Sequence, residues 1–208
     1  MSETLRQRRK AETRQRIQDA ARRLIAQNGF EATTMRDLAG EAGVGVGTVA
    51  LHFQDKISLL FSSFFEDISE VSRRAVDGVP EDVPIREQFR HMLHTMYSYY
   101  AEHTLFLRSV VKEALFATGA WKDRFDAQFE EVVGKVAALV EARKAAGEVR
   151  PEVSSLDVAL LCWSLYAAGL IDGLNRDRFD VQAQVDAVMG RLEVGLVGIL
   201  AGGGCGMR

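Results

Sequence analysis

The chain has little of what stabilises small secreted proteins or places a chain in a membrane. Its 208 residues include only two cysteines, Cys162 and Cys205, too few for a disulfide framework or a cysteine-lined metal site. Its longest apolar stretch, residues 158–171, is interrupted by Ser164 and is shorter than the roughly 20 residues that span a bilayer. The first ten residues are too polar for a secretory signal. We therefore expect a cytoplasmic protein with no membrane partner.

Proline is also scarce, at three residues, and the alternating pattern of a half-buried strand is missing. Apolar residues instead recur at helical spacing along nearly the whole chain. The sequence thus predicts an all-α fold of about nine helices. The predicted helices cover residues 10–27, 35–42, 46–53, 55–77, 85–102, 103–116, 120–146, 156–175 and 181–200, and the glycine-rich tail at 202–208 is predicted to be disordered.

Patterns that mark an active site are missing as well. The sequence shows no nucleophile elbow, no phosphate-binding loop and no glycine fingerprint after a strand, so we expect neither an enzyme nor a cofactor. Glu87, His91 and His94 share one face of a predicted helix, a spacing that metals sometimes use. Three ligands from one helix are a weak signal, and we expect these side chains to be solvated or to line a pocket.

The most informative segment is residues 34–53, TMRDLAGEAGVGVGTVALHF. Thr34 followed three residues later by Asp37 predicts a capping box at a helix start. Gly43 predicts the left-handed residue that ends this helix and turns the chain sharply. A second short helix from Val46 completes the pattern of a helix-turn-helix, whose second helix lies in the DNA major groove.

The flanking residues make the pattern specific. They contain, in register, a pair of small residues, a glycine followed by an aromatic residue, a pair of threonines and an alanine-glycine-valine sequence, among other matches. The matching positions are Ala20-Ala21, Gly29-Phe30, Thr33-Thr34, Leu38-Ala39, Ala42-Gly43-Val44, Gly47-Thr48, His52-Phe53 and Lys56. Residues 10–60 therefore resemble the amino-terminal domain of the TetR family of transcriptional regulators. The resemblance covers about a quarter of the chain and implies a three-helix DNA-binding domain at 1–56. It also implies a larger helical ligand-binding and dimerisation domain at 57–201.

The charge distribution agrees with this division. The chain carries a net charge of −3, yet residues 1–56 hold 10 basic and 7 acidic side chains. Electrostatic attraction to phosphate acts over about 10 Å at moderate salt, so the local balance of basic and acidic residues determines whether a segment attracts DNA. With the resemblance, this predicts DNA contacts from an arm before the first helix, from both short helices and from the start of the fourth. The predicted DNA-binding residues are Arg6, Arg8, Arg9, Lys10, Thr34, Arg36, Gly45, Val46, Thr48, His52 and Lys56.

Three positions depart from the family pattern. The family usually has a polar residue, often lysine, where this chain has Gly45 and Val46, and tyrosine where it has Ala50. These changes remove phosphate contacts, while Val46 is able to pack on a thymine methyl group. Arg36 is the predicted base-contacting residue, because a guanidinium pairs with guanine O6 and N7. We expect operator binding that depends strongly on the arginine arm.

Aromatic residues and methionines are concentrated between residues 61 and 129, where the resemblance implies an effector cavity. Most are expected to be ordinary core residues. The predicted effector is apolar or aromatic. The predicted effector-binding residues are Phe64, Phe65, His94, Tyr97, Tyr100, Phe106, Arg108 and Phe116.

The eighth predicted helix is apolar nearly all round and must be covered on every side. Together with the ninth it predicts a two-fold, four-helix dimer interface, in which Ala167, Ala168 and Gly169 let a partner approach closely. The predicted interface residues are Trp163, Tyr166, Ala167, Leu170, Val185, Val188, Leu192 and Leu196. A dimer would hold two DNA-contacting helices one duplex turn apart.

The sequence thus predicts a ligand-responsive transcriptional regulator, in the first place a repressor that binds a palindromic operator as a homodimer and leaves it when an inducer binds. The alternative is a helical dimer that binds small molecules and has weakened or lost DNA binding, which Val46 and Ala50 keep open.

Overall fold

The computed structural model describes residues 2–80 and 82–196, and every extended regular element within them is an α-helix. This confirms the predicted all-α fold of about nine helices. The helices are α1 (Ser2–Asn28), α2 (Met35–Ala42), α3 (Val46–His52), α4 (Lys56–Asp77), α5 (Ile85–Glu102), α6 (Thr104–Ala114), α7 (Gly119–Ala145), α8 (Ser155–Leu174) and α9 (Val181–Leu196). The predicted end of α9 at residue 200 and the predicted disordered tail at 202–208 lie outside the described residues.

The first helix begins earlier than its predicted start at Lys10. α1 runs from Ser2, because residues 2–10 hold no glycine or proline and consist mostly of arginine, lysine, leucine, glutamine and glutamate, which favour helix. The Arg8 guanidinium pairs with the Glu12 carboxylate one turn later, at 3.1 Å. The basic side chains before residue 10 therefore project from a regular helix, where the sequence predicted an irregular arm.

The helix-turn-helix forms as the sequence predicts. The Thr34 side chain accepts a hydrogen bond from the Asp37 amide while the Asp37 carboxylate accepts one from the Thr34 amide, which is the predicted capping box. Gly43 ends α2 at φ 63°, a left-handed conformation that side chains with a Cβ rarely adopt. Val49 is fully buried and Phe53 nearly so, and these two side chains fix α3 against the rest of the domain.

The chain divides into two compact units. Unit 1 consists of Met1–Ser69 with His103–Trp121, and unit 2 of Glu70–Glu102 with Lys122–Arg208, so α4 and α7 each contribute residues to both. This division concerns packing alone. The assignment of DNA binding to residues 1–56 and of effector binding to 57–201 therefore stays a prediction.

In unit 1, polar contacts tie distant segments to the core of α1 and α2. The Arg22 guanidinium donates two hydrogen bonds to the Asp67 carboxylate of α4, at 2.9 and 2.7 Å. The Lys112 ammonium of α6 pairs with the Glu31 carboxylate at 2.8 Å. Sequence reasoning missed both pairs, because neither shows any local spacing.

Unit 2 is built on α8, which packs against α9 and α5. A Cβ at Gly169 would collide with the Tyr97 hydroxyl of α5 and with Val188 of α9, so this glycine lets three helices of the same chain approach closely. The prediction that Gly169 makes room for a partner helix is therefore wrong. Gly173 has the same role against the Phe179 ring.

The predicted dimer residues need a similar correction. Val185, Val188 and Leu192 are at most 2% exposed and belong to the core of unit 2, so they offer no surface to a second chain. On α8, Leu170 is also buried, and the Trp163 ring packs edge-on against the Phe129 ring of its own chain at 5.1 Å. Tyr166 and Ala167 are half-buried, and the side chain of Leu196 lies outside the described residues. An all-round apolar helix does not reveal which of its residues face its own core, which is why the prediction included buried residues. That Trp163, Tyr166 and Ala167 contact a second chain stays a prediction.

The outward face of α8 is formed by other residues. Ser164, Ala168 and Ile171 are exposed, and only 28% of the most apolar 18-residue stretch of α8 is buried within the chain. By length and composition alone, α8 is also the one described helix apolar enough to cross a membrane, a test that core helices of soluble proteins pass too. The helix therefore carries an apolar surface that residues 2–80 and 82–196 leave uncovered.

Candidate DNA-binding interface

The outward surface of α3 is almost entirely apolar. Leu51 is 84% exposed and Val46 47%, and Gly47 and Ala50 are exposed between them. Of the predicted α3 contacts, Thr48 and His52 are half-buried, and Gly45 is the exposed residue that precedes the helix. Sequence reasoning did not select Leu51. Its outward position follows from the helical spacing of the buried Val49 and Phe53, which was a signal available in the sequence.

At the start of α2, the predicted DNA contacts are Thr34 and Arg36. The Arg36 side chain is exposed and makes no hydrogen bond or ion pair with the described residues. The Thr34 hydroxyl is engaged in the helix cap and donates to the Asp37 carboxylate at 2.6 Å. These hydrogen bonds from Thr34 lower the pKa of Asp37 and keep it ionised. The cap thus fixes the backbone from which Arg36 projects.

A basic residue of α1 fixes the end of α3. The Arg14 guanidinium lies 4.4 Å from the centre of the Phe53 ring and donates to the His52 carbonyl at 3.3 Å. Arg14 also lies 3.6 Å from the Glu66 carboxylate. Arg14 therefore has a positioning role between α1 and α3, which the sequence did not suggest.

The imidazole of His52 lies within the field of α1. Burial lowers the pKa of His52 below its usual 6.5, and the charges of Lys10 and Arg14 lower it further. The imidazole is therefore neutral at pH 7. The contacts of Arg14 with the His52 carbonyl and the Phe53 ring place this residue of α1 at the carboxyl-terminal end of α3.

Some of the other basic side chains of α1 are exposed to solvent, and others make contacts within the chain. Arg6, Arg9 and Lys10 are exposed, while Arg8 pairs with Glu12. Arg16 donates to the carbonyls of Ala42 and Gly43 at 2.6 and 3.2 Å and so caps the end of α2. The exposed members are cationic side chains at the surface of α1.

Lys56 has a structural task that the sequence did not suggest. Its ammonium donates to the Phe30 and Thr33 carbonyls at 2.6 and 3.0 Å, and it lies 4.2 Å from the centre of the Phe30 ring. The turn between α1 and α2 is therefore fastened to the start of α4. That Lys56 also binds a DNA phosphate stays a prediction.

The predicted effector residues are spread over both units. In unit 1, Phe64, Phe65 and Phe106 are buried, Arg108 is half-buried and Phe116 is 87% exposed, so Phe116 lies at the surface and does not line a closed cavity. The rings of Phe61 and Phe65 pack on Trp121 at 5.3 and 5.9 Å between centres.

In unit 2, Tyr97 and Tyr100 are buried and His94 is exposed. The Tyr97 hydroxyl donates to the Tyr166 carbonyl at 2.8 Å, and the Tyr100 and Tyr166 hydroxyls lie 2.7 Å apart. Burial raises the pKa of Tyr100 to about 12, so these phenols stay neutral. The described residues contain no group of three or more His, Cys, Asp or Glu side chains that could hold a metal ion.

Comparison with known proteins agrees with this geometry. The model of the family described as bacterial regulatory proteins, tetR family, matches residues 17–62. The repressor KstR of Rhodococcus jostii is 28% identical over 193 residues, which are 93% of this chain and 84% of that protein. The fatty acid metabolism regulator protein of Bacillus subtilis is 31% identical over 90 residues, 43% of this chain and 46% of that protein.

Solved structures share the fold. The transcriptional regulator FadR of Bacillus subtilis, in complex with stearoyl-CoA, superimposes with a TM-score of 0.73 at 19% identity, covering 86% of this chain and 96% of that one. A TetR-family regulator from Pectobacterium atrosepticum gives 0.73 at 21% identity, covering 93% and 96%. The family match falls on the helices that present α3 and Arg36, and the shared fold extends to the other helices. These matches confirm the resemblance of the amino-terminal residues to the TetR family of transcriptional regulators.

Proposed function

We propose that this protein is a dimeric repressor that binds a palindromic DNA operator and is released from it by a small apolar effector. The observation that carries the proposal is the exposed α3, whose carboxyl-terminal end contacts Arg14 of the arginine-rich α1. Phosphate attraction supplies affinity and groove contacts supply specificity, so the two surfaces have complementary tasks. The name of KstR, a repressor, supports repression over activation.

We assign DNA binding to residues 1–56 and effector binding and dimerisation to 57–201, in a protein that works in the cytoplasm, where its operator lies. The second copy covers the outward face of α8, at Ser164 and Ala168, and the exposed small residues of α9, Ala187 and Gly190. Small side chains let helices approach closely, and the uncovered apolar surface of α8 gives the association its driving force.

An apolar effector fits the relatives and the composition. Bacillus subtilis FadR was solved in complex with stearoyl-CoA, whose acyl chain is apolar, and aromatic rings pack together in both units of this chain. Stearoyl-CoA is therefore the first probe. Release requires that the effector bind the DNA-free conformation more tightly than the DNA-bound one.

The test begins with the full-length protein and selection of bound duplexes from random DNA. We expect a dimer by analytical ultracentrifugation, an enriched inverted repeat, and an affinity that falls steeply with salt. Stearoyl-CoA should then lower operator affinity. A dimer that binds stearoyl-CoA but prefers no duplex over scrambled DNA would establish the alternative of a small-molecule-binding dimer. If α8 instead bound lipid vesicles, the partner of its apolar surface would be a membrane and not a second copy of the chain.

A further inference from the structure

The surface of α3 departs from the usual chemistry of base recognition. All seven residues of α3 are described, and none has a guanidinium, ammonium, carboxamide or carboxylate side chain. The hydrogen-bonding side chains that distinguish guanine, adenine and cytosine in the major groove are Arg, Lys, Asn, Gln, Asp and Glu. Thr48 and His52 remain as polar groups, and both are half-buried. α3 therefore lacks bidentate readout.

What α3 offers instead is a shaped apolar surface. Val46 and Leu51 project at its two ends, and Ala50 lies between them with only a methyl group. A Cβ at Gly47 would meet no atom within 4 Å, so packing within the chain does not require a glycine there. A glycine on an exposed face permits close approach of the backbone to a ligand.

The surroundings identify the occupant of this surface. The Arg14 guanidinium donates to the His52 carbonyl at 3.3 Å and lies 4.4 Å from the Phe53 ring, at the carboxyl-terminal end of α3. Arg6, Arg9 and Lys10 are exposed on the same helix as Arg14. An apolar protein partner would gain nothing from such a cationic edge. A major groove floored by thymine methyl groups and bordered by phosphates matches both the apolar centre and the positive edge.

We propose that α3 recognises its operator through the C5-methyl groups of thymine, with Val46 and Leu51 as the specificity-determining side chains and Gly47 and Ala50 allowing close contact. The inference rests on the proposed DNA-binding function and names its chemistry. Each operator half-site then holds T·A pairs opposite α3, while any guanine contact comes from Arg36 of α2.

The experiment removes the methyl groups and nothing else. In the operator found by selection, thymines of each half-site are replaced one at a time by deoxyuridine, which keeps every base-pairing group and every phosphate. A buried methyl group contributes about 0.8 kcal/mol, so each contacted thymine should cost about fourfold in affinity. Thymines outside the α3 contact serve as internal controls and should cost less than twofold.

The protein side uses Leu51→Ala and Val46→Ala, with Leu115→Ala as the matched control, since Leu115 is 64% exposed and lies outside α3. Leu51→Ala should lower operator affinity, leave the salt dependence unchanged because no phosphate contact is lost, and abolish the deoxyuridine penalty at its own thymine. Leu115→Ala should leave both unchanged.

The outcomes separate this inference from the proposed function. A protein that prefers no duplex over scrambled DNA would refute the proposed function itself. A protein that prefers its operator but tolerates deoxyuridine at every position within twofold overturns the methyl readout and leaves DNA binding intact. An equal deoxyuridine penalty in the native protein and in both alanine variants would assign the effect to duplex shape and would also overturn it.

Discussion

The outward surfaces of α3 and α8 are both apolar, yet their surroundings differ. α3 presents Val46 and Leu51 beside the cations of α1, whereas α8 carries no charged residue between Asp157 and Asp172. α3 is short and α8 has 20 residues, of which few in its most apolar stretch are buried. The comparison teaches that exposed apolar area alone does not identify a partner. The charge at the edge of the apolar area identifies the partner, and this charge favours DNA as the partner of α3 and a second apolar helix as the partner of α8.

The largest expected effect comes from placing a charge on α8. In Ser164→Lys an ammonium enters the proposed contact between copies, where its desolvation is uncompensated. We expect dissociation to monomers and a loss of operator affinity of at least about a hundredfold. Analytical ultracentrifugation and operator titration measure the two effects. Ala138→Lys, at an exposed position of α7, is the matched control, and a Ser164→Lys protein that remains dimeric would refute the α8 interface.

A lysine introduced on α3 should have the opposite effect on affinity for DNA. Leu51→Lys adds a cation next to the phosphates, so we expect affinity for random DNA to rise about tenfold at low salt, with a salt slope steeper by about one. Preference for the operator should fall, because an apolar contact is lost. Unchanged binding to both kinds of DNA would show that α3 does not face the duplex.

A smaller effect is expected from the cap that supports Arg36. Thr34→Ala removes the hydroxyl that accepts from the Asp37 amide and should lower the free energy of unfolding by about 1 kcal/mol. Thermal and urea unfolding measure this loss. Thr34→Ser keeps the cap and should keep the stability, and an alanine variant as stable as the native protein would show that the cap contributes nothing.

The smallest expected effect is a pH dependence from His52. Its depressed pKa means that the unfolded chain takes up the proton first, so free-protein stability falls as pH drops below the usual 6.5. A nearby phosphate favours the imidazolium, so operator binding should couple to proton uptake and strengthen a few-fold between about pH 7.5 and 6. His52→Gln should remove this pH slope of binding. A slope that persists in the variant would assign it to another group.

Local structure was largely predictable from the sequence. Thr34, Asp37 and Gly43 act within a single helix and its turn, so their spacing predicted the start and the end of α2. The start of α1 was not predicted, because the basic residues before Lys10 were read as an arm although their helix propensity is high. The tasks of Arg14 and Lys56 were missed, since their partners lie 23 to 38 residues away along the chain.

By itself, the sequence determined the all-helical fold, the helix-turn-helix and the resemblance of this segment to the TetR family, because periodicity, capping and turn conformation are set by neighbouring residues. Only the tertiary structure decided which side of α8 and α9 faces inward. Gly169 packs against Tyr97 and Val188, which lie 72 and 19 residues away along the chain. With this packing, Val185 and Leu192 are buried in the core and Ser164 and Ala168 are exposed. A helix that is apolar on every side has no preferred inner face until its neighbours occupy one.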